Sequence, residues 1–153
     1  MTVKFSCSSE AQVNICHALS CLPKGTIAEI DLLFVCIDSS DARRLVMSNY
    51  IDYEIIVISE FIVPRNWKVE DHWSKRYFNY VILHEIAHAL LKHKSPTVLT
   101  QEESKMQEDE ADSMAMEWFN EYAEYKEMIL YTQKELEDSQ NKIQLERKKY
   151  LIL

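Results

Sequence analysis

The chain has 153 residues, the size of one ordinary domain, and its 47% apolar and 27% charged residues are a globular composition rather than a disordered one. A single glycine, Gly25, excludes any glycine-rich phosphate loop or dinucleotide fingerprint, and the scarcity of turn formers argues against an all-β barrel. With 17 Lys and Arg against 25 Asp and Glu, the net charge of −8 repels phosphate backbones, so nucleic acid is not an expected partner.

The opening MTVKFSCSSEAQ lacks the apolar core of a signal peptide, and no run of 18 apolar residues follows. The expectation is a soluble, cytoplasmic chain with no membrane partner. Cys7, Cys16, Cys21 and Cys36 form no CxxC pair, so they are expected to be reduced and mostly buried thiols. Residues 10–22 read as a helix, with Ala11, Ile15, Ala18, Leu19 and Leu22 at helical spacing, Ser8 or Ser9 as cap and Pro23-Lys24-Gly25 as its end. LLFVCI, residues 32–37, is a continuous apolar run of strand length. Residues 42–50 read as a short helix or a loop. Residues 53–63, YEIIVISEFIV, are rich in β-branched side chains and read as a second strand, broken by Pro64. This strand could offer an edge for a peptide substrate, or be an ordinary core strand.

A long helix fits residues 71–94, capped by Asp71 or Ser74 and followed by Pro96. Thr100-Gln101-Glu102-Glu103 has the form of a capping box and starts a further helix. Strands first and helices after favour an α+β fold: a small sheet packed on a buried helix, a second ligand-bearing helix and a long C-terminal helix.

The chemistry lies in residues 81–91, VILHEIAHALL. Only His84, Glu85 and His88 are polar there, and a helix apolar almost all round is a buried helix. Burying a carboxylate and two imidazoles is costly unless they pair or bind a metal. His84 and His88, at i and i+4, project from one face and can grip one ion. Glu85 stands beside that ion, where a general base belongs. By chance a chain of this composition would show H-E-x-x-H roughly two times in a hundred. The setting inside the most apolar helix of the chain adds to the weight of the pattern. The bland alternative is two core histidines, with Glu85 turned to solvent.

Two histidines and a water leave a tetrahedral zinc one protein ligand short. Glu108-Asp109-Glu110-Ala111-Asp112 offers four carboxylates. At 100° per residue, Asp112 lies about 40° from Glu108, on a face shared with Ala111, Ala115, Trp118, Phe119 and Tyr122. Glu110 lies nearly opposite, with Glu117, Glu121 and Glu124, on what reads as a solvated face. Glu108 is thus the expected third ligand. Asp112 suits a supporting role, accepting a hydrogen bond from a ligand histidine.

His84-Glu85-Ile86-Ala87-His88 followed by Glu108-x-x-x-Asp112 resembles the gluzincin signature, HExxH with a downstream ExxxD. The wider text, HEIAHALLKH and EDEADSMAMEWF, resembles compact ImmA/IrrE-type metallopeptidases and Lit-like phage-exclusion peptidases. CAAX-processing membrane peptidases share the E-x-x-A-D element but carry transmembrane helices that this chain lacks. The resemblance implies a zinc endopeptidase with one Zn²⁺ per chain held by His84, His88 and Glu108. Glu85 would act as general base on a water activated by the metal, and the substrate would be a protein or peptide. An oxyanion donor is also required, for which Tyr77, Tyr80, His72, His93 and Arg76 are candidates by proximity in sequence. His93 reads as a residue near the surface. The alternative function is a non-catalytic zincin-fold module that uses its metal structurally; retention of Glu85 favours the enzyme.

The expected organisation is a metallopeptidase domain over residues 1–125 and a helical extension of it over 126–153. In that extension Ile129, Leu136, Ile143 and Tyr150 continue a seven-residue spacing from Tyr122. One thin stripe is too polar for a strong coiled coil. It would pack back on the domain, join a partner helix or a homodimer, or dangle.

Overall fold

The computed structural model describes residues 2–26, 30–37, 43–45, 53–64 and 72–122, together with Asn141 and Leu145. The expected cap Asp71, the side chains of His72 and Ser74 and, apart from Asn141 and Leu145, the extension over 126–153 lie outside the described residues; the helix already begins at His72, so Ser74 lies within it and does not cap it.

The elements run β1 (Val3–Ser6), α1 (Ser9–Leu19), β2 (Leu32–Ile37), β3 (Arg43–Leu45), β4 (Glu54–Ser59), α2 (His72–Leu90) and α3 (Gln101–Tyr122). The fold is α+β, as the order of apolar patterns predicts. The sheet order is β1-β2-β4-β3, with β1, β2 and β4 parallel and β3 antiparallel to β4. In register, Val3 pairs with Leu32, Leu32 with Glu54, and Arg43 with Val57.

Two strands escape the sequence reading. VKFS alternates half-buried and exposed residues and is too short to stand out, yet β1 pairs with β2 through the crossover helix α1. Residues 43–45, read as part of a short helix or loop, form β3. The second predicted strand ends earlier than expected: β4 stops at Ser59, whose hydroxyl accepts from the Phe61 amide and opens a single 3₁₀ turn over Glu60–Ile62. Because β4 is flanked by β2 and β3, it is an interior strand. The idea that it offers an edge to substrate does not survive.

Helix α1 starts as its serines suggest, with the Ser8 hydroxyl accepting from the Ala11 amide at 3.2 Å. Ala11, Ile15 and Ala18 are fully buried. Helix α2 is buried all round, as its composition demands: from Phe78 to Ala89, all but Val81 and His84 are buried. It packs against both α1 and α3 and touches β3 and β4. Helix α3 begins at the predicted capping box. Glu103 N–H donates to the Thr100 hydroxyl at 3.1 Å, and Thr100 N–H donates to the Glu103 carboxylate at 2.9 Å. Its buried stripe is Ala111, Ala115, Trp118 and Phe119, which join Phe34, Ile56, Ile58, Leu83 and Ile86 in one core. The thiols are less buried than expected: Cys21 is buried, Cys7 and Cys36 are half-buried and Cys16 is exposed. No helix among the described residues is long and apolar enough to cross a membrane.

Candidate metal centre

Helix α2 carries His84 and His88 one turn apart, with ring centroids 4.6 Å apart and planes at 79°. Their Nε2 atoms lie 3.0 Å from each other. Helix α3, packed alongside, brings in Glu108: Oε2 lies 3.1 Å from His84 Nε2, and Oε1 lies 3.3 Å from His88 Nε2. One donor atom from each of the three residues falls within 4.8 Å of the other two. A four-coordinate zinc with bonds of about 2.0–2.1 Å holds neighbouring donors about 3.3 Å apart. The Nε2–Nε2 separation matches one edge of such a coordination sphere, and the two Glu108 contacts, made through different carboxylate oxygens, are of similar length. Two imidazoles and a carboxylate are also the donor types that zinc accepts. The donor set fits the ion.

The carboxylates of α3 also set the charge of the site. Burial opposes charge on His84, but contacts with the Asp112 and Glu108 carboxylates outweigh it and push its pKa up to about 10. Hydrogen bonds from His84 and then His88 hold the Glu108 carboxyl well below the usual carboxylate range. Glu108 is thus held as an anion against the two imidazoles. The histidine side chains are only 13% and 11% exposed, whereas that of Glu108 is 51% exposed. The triangle opens to solvent on the Glu108 side, as a site that admits substrate must.

Asp112 meets His84 rather than His88. Its Oδ1 lies 2.9 Å from His84 Nδ1, close in distance but short of hydrogen-bond alignment. The Tyr80 hydroxyl donates to the same oxygen. Burial and this acidic partner raise the Tyr80 pKa, so the phenol stays protonated. Tyr80, one of the expected oxyanion donors, is thus engaged behind His84. Arg76 and Tyr77 are half-buried on α2, about two turns before His84. Glu85 is 7% exposed, which removes the solvent-facing alternative, and its charge acts on His84 without its joining the donor set.

Two residues stand differently from the sequence reading. His93, expected near the surface, is buried at 8% exposure, with Nδ1 2.8 Å from Nδ1 of His88. Glu110 is exposed as expected, but its Oε2 lies 3.0 Å from His93 Nε2. The helical wheel places Glu110 away from Glu108 correctly. What the wheel cannot show is that the chain after α2 returns along that side of α3. One signal was available: an apolar helix ending at Leu90 sets His93 at the position that folds back on the last turn. The glycine or asparagine that usually flags such a turn is absent.

The Peptidase U49 family model matches residues 75–144. The match is less than half of the chain and spans both helices that build the donor triangle. It makes this region similar to a peptidase family, in keeping with an HExxH-type zinc-peptidase site, and does not single out a subfamily. No curated protein and no solved structure matches the chain.

Proposed function

We propose that the protein is a zinc-dependent endopeptidase that hydrolyses a peptide bond of a protein substrate. The observation that carries this reading is the His84–His88–Glu108 donor triangle, open to solvent beside the buried carboxylate of Glu85. The similarity to Peptidase U49 over the same residues supports it. The resemblance of HEIAHALLKH and EDEADSMAMEWF to ImmA/IrrE-type and Lit-like peptidases narrows the reading to compact enzymes that cut a regulator or a host factor.

His84, His88 and Glu108 would hold the ion. Zinc supplies Lewis acidity to the scissile carbonyl and acidifies water. The Glu85 carboxylate takes one proton from the attacking water and delivers it to the amide nitrogen of the leaving segment, so that water is added across the C–N bond. Asp112, with Tyr80 behind it, orients the His84 ring so that Nε2 faces Glu108.

The test compares cells expressing the wild-type chain with cells expressing Glu85→Gln, followed by proteomic identification of new termini. The substitution keeps volume and removes the base. The expected result is one set of cleavage products present only with wild type, while the purified variant keeps its metal. If purified wild type and Glu85→Gln cut the identified substrate at equal rates, Glu85 is not the base and the reading fails.

A further inference from the structure

Helix α2 ends in a way that its sequence does not advertise. His93 N–H donates to the His88 carbonyl at 3.1 Å, and Lys92 N–H donates to the Ala89 carbonyl at 3.2 Å. These are the paired bonds of a Schellman cap, and Lys92 takes its left-handed position at φ 53°. Non-glycine residues adopt that conformation at a cost. The cap normally brings together two side chains, one in the last turn and one just beyond the helix. Here those two are His88 and His93, with ring centroids 4.9 Å apart and planes at 71°. The next residue is held from the other helix. Gln107 of α3 accepts from the Lys94 amide at 2.9 Å and donates to the Lys94 carbonyl at 3.1 Å. His93 is therefore fixed by a helix cap on one side and a two-bond amide clamp on the other.

We infer that His93 and Glu110 are positioning residues of the metal centre, forming a hydrogen-bonded relay that locks His88 with its Nε2 lone pair toward the ion. This rests on the metal-site reading above. The proton assignment follows from the contacts. If His88 Nε2 is to donate its lone pair to a metal, its Nδ1 must carry the hydrogen. That hydrogen points at His93 Nδ1, 2.8 Å away, which must then be the acceptor. His93 consequently carries its hydrogen on Nε2, and the group 3.0 Å from that atom is the Glu110 carboxylate, which can only accept when ionised. Each donor meets one acceptor along the whole path, with no imidazolium needed. The two ligand histidines are thus served by separate carboxylates of α3: His84 by Asp112 directly, and His88 by Glu110 through a second imidazole.

The full-length chain is stripped with a chelator and titrated with zinc against a chromophoric competitor, and with Co²⁺ for its visible ligand-field spectrum. His93→Leu is expected to weaken zinc binding about 10–100-fold and to change the Co²⁺ spectrum. His93→Asn, which returns an acceptor near the Nδ1 position, is expected to restore most of that affinity. Glu110→Ala, at an exposed position that cannot collapse the core, is expected to weaken binding about tenfold, while exposed Asp109→Ala does not. Wild-type affinity in His93→Leu and Glu110→Ala, beside lost binding in His84→Ala, would overturn the relay and leave the metal site standing. Equal losses in His93→Leu and His93→Asn would also overturn it, since packing rather than the hydrogen bond would then be responsible. A wild-type chain that binds no zinc would overturn the relay and the metal-site reading together.

Discussion

Asp112 Oδ1 lies 2.9 Å from His84 Nδ1 while accepting the Tyr80 hydroxyl, so one carboxylate oxygen of α3 joins two residues set one turn apart on α2. Burial opposes charge on Asp112, but its close contacts with His84 and Tyr80 outweigh it and lower its pKa, which keeps this partner ionised. Asp112→Ala is expected to weaken zinc affinity about 10–100-fold without emptying the site at saturating zinc. The proper control is Asp109→Ala, because Asp109 pairs with Lys105 on the exposed face and Glu110 touches His93. A zinc titration in which Asp112→Ala and Asp109→Ala match would show that Asp112 does not support the ligand.

Metal removal should be visible in stability. Purified protein is expected to carry close to one zinc per chain, and His84→Ala or Glu108→Ala is expected to abolish it. At free zinc 100-fold above its dissociation constant, the folded state gains about 2.7 kcal/mol over the apo protein. Thermal denaturation with zinc and with excess chelator measures this difference. Full zinc occupancy in Glu108→Ala would show that another group is the third ligand.

Lys92 offers a test of the helix cap. Its left-handed backbone is strained for a lysine, and a glycine there would relieve the strain. Lys92→Gly is expected to raise folding stability by about 0.5–1 kcal/mol in denaturant titration. A lower stability would mean that the relieved strain is smaller than the freedom glycine adds to the unfolded chain together with any lost lysine contact.

The cap at the start of α3 works by reciprocal hydrogen bonds between Thr100 and Glu103. Thr100→Ala should cost about 1 kcal/mol. Because α3 carries Glu108 and Asp112, the variant should fray the segment before them. Hydrogen exchange over residues 101–107 would reveal it as faster amide exchange than in wild type; unchanged exchange would count against the cap.

The thiols should react in a set order. Cys16 is exposed, whereas burial pushes the Cys36 thiol up to about 12 and raises Cys7. A raised pKa keeps the thiol protonated and unreactive until pH climbs well past 9. Mass spectrometry after brief iodoacetamide treatment near pH 8 is expected to find Cys16 modified first and Cys36 nearly untouched. Early labelling of Cys36 would show that its environment is wetter than described.

What the sequence determines by itself is local. The run LLFVCI coincides with β2, the His84 and His88 spacing follows from 3.6 residues per turn, and the Thr100–Glu103 box starts a helix with a buried Ala111–Ala115–Trp118–Phe119 stripe. Each depends on residues within a turn or two of one another, so periodicity suffices. What only the tertiary structure decided is which distant segments meet. Val3–Ser6 and Arg43–Leu45 become strands because β2 and β4 offer them free backbone partners, and pairing of that kind leaves little mark on four or three residues. His93 and Glu110 meet because a non-glycine cap turns the chain back on α2 and the loop runs along α3. That contact joins residues 17 apart in sequence, one in the loop after α2 and one on α3, and no single-helix wheel can display it.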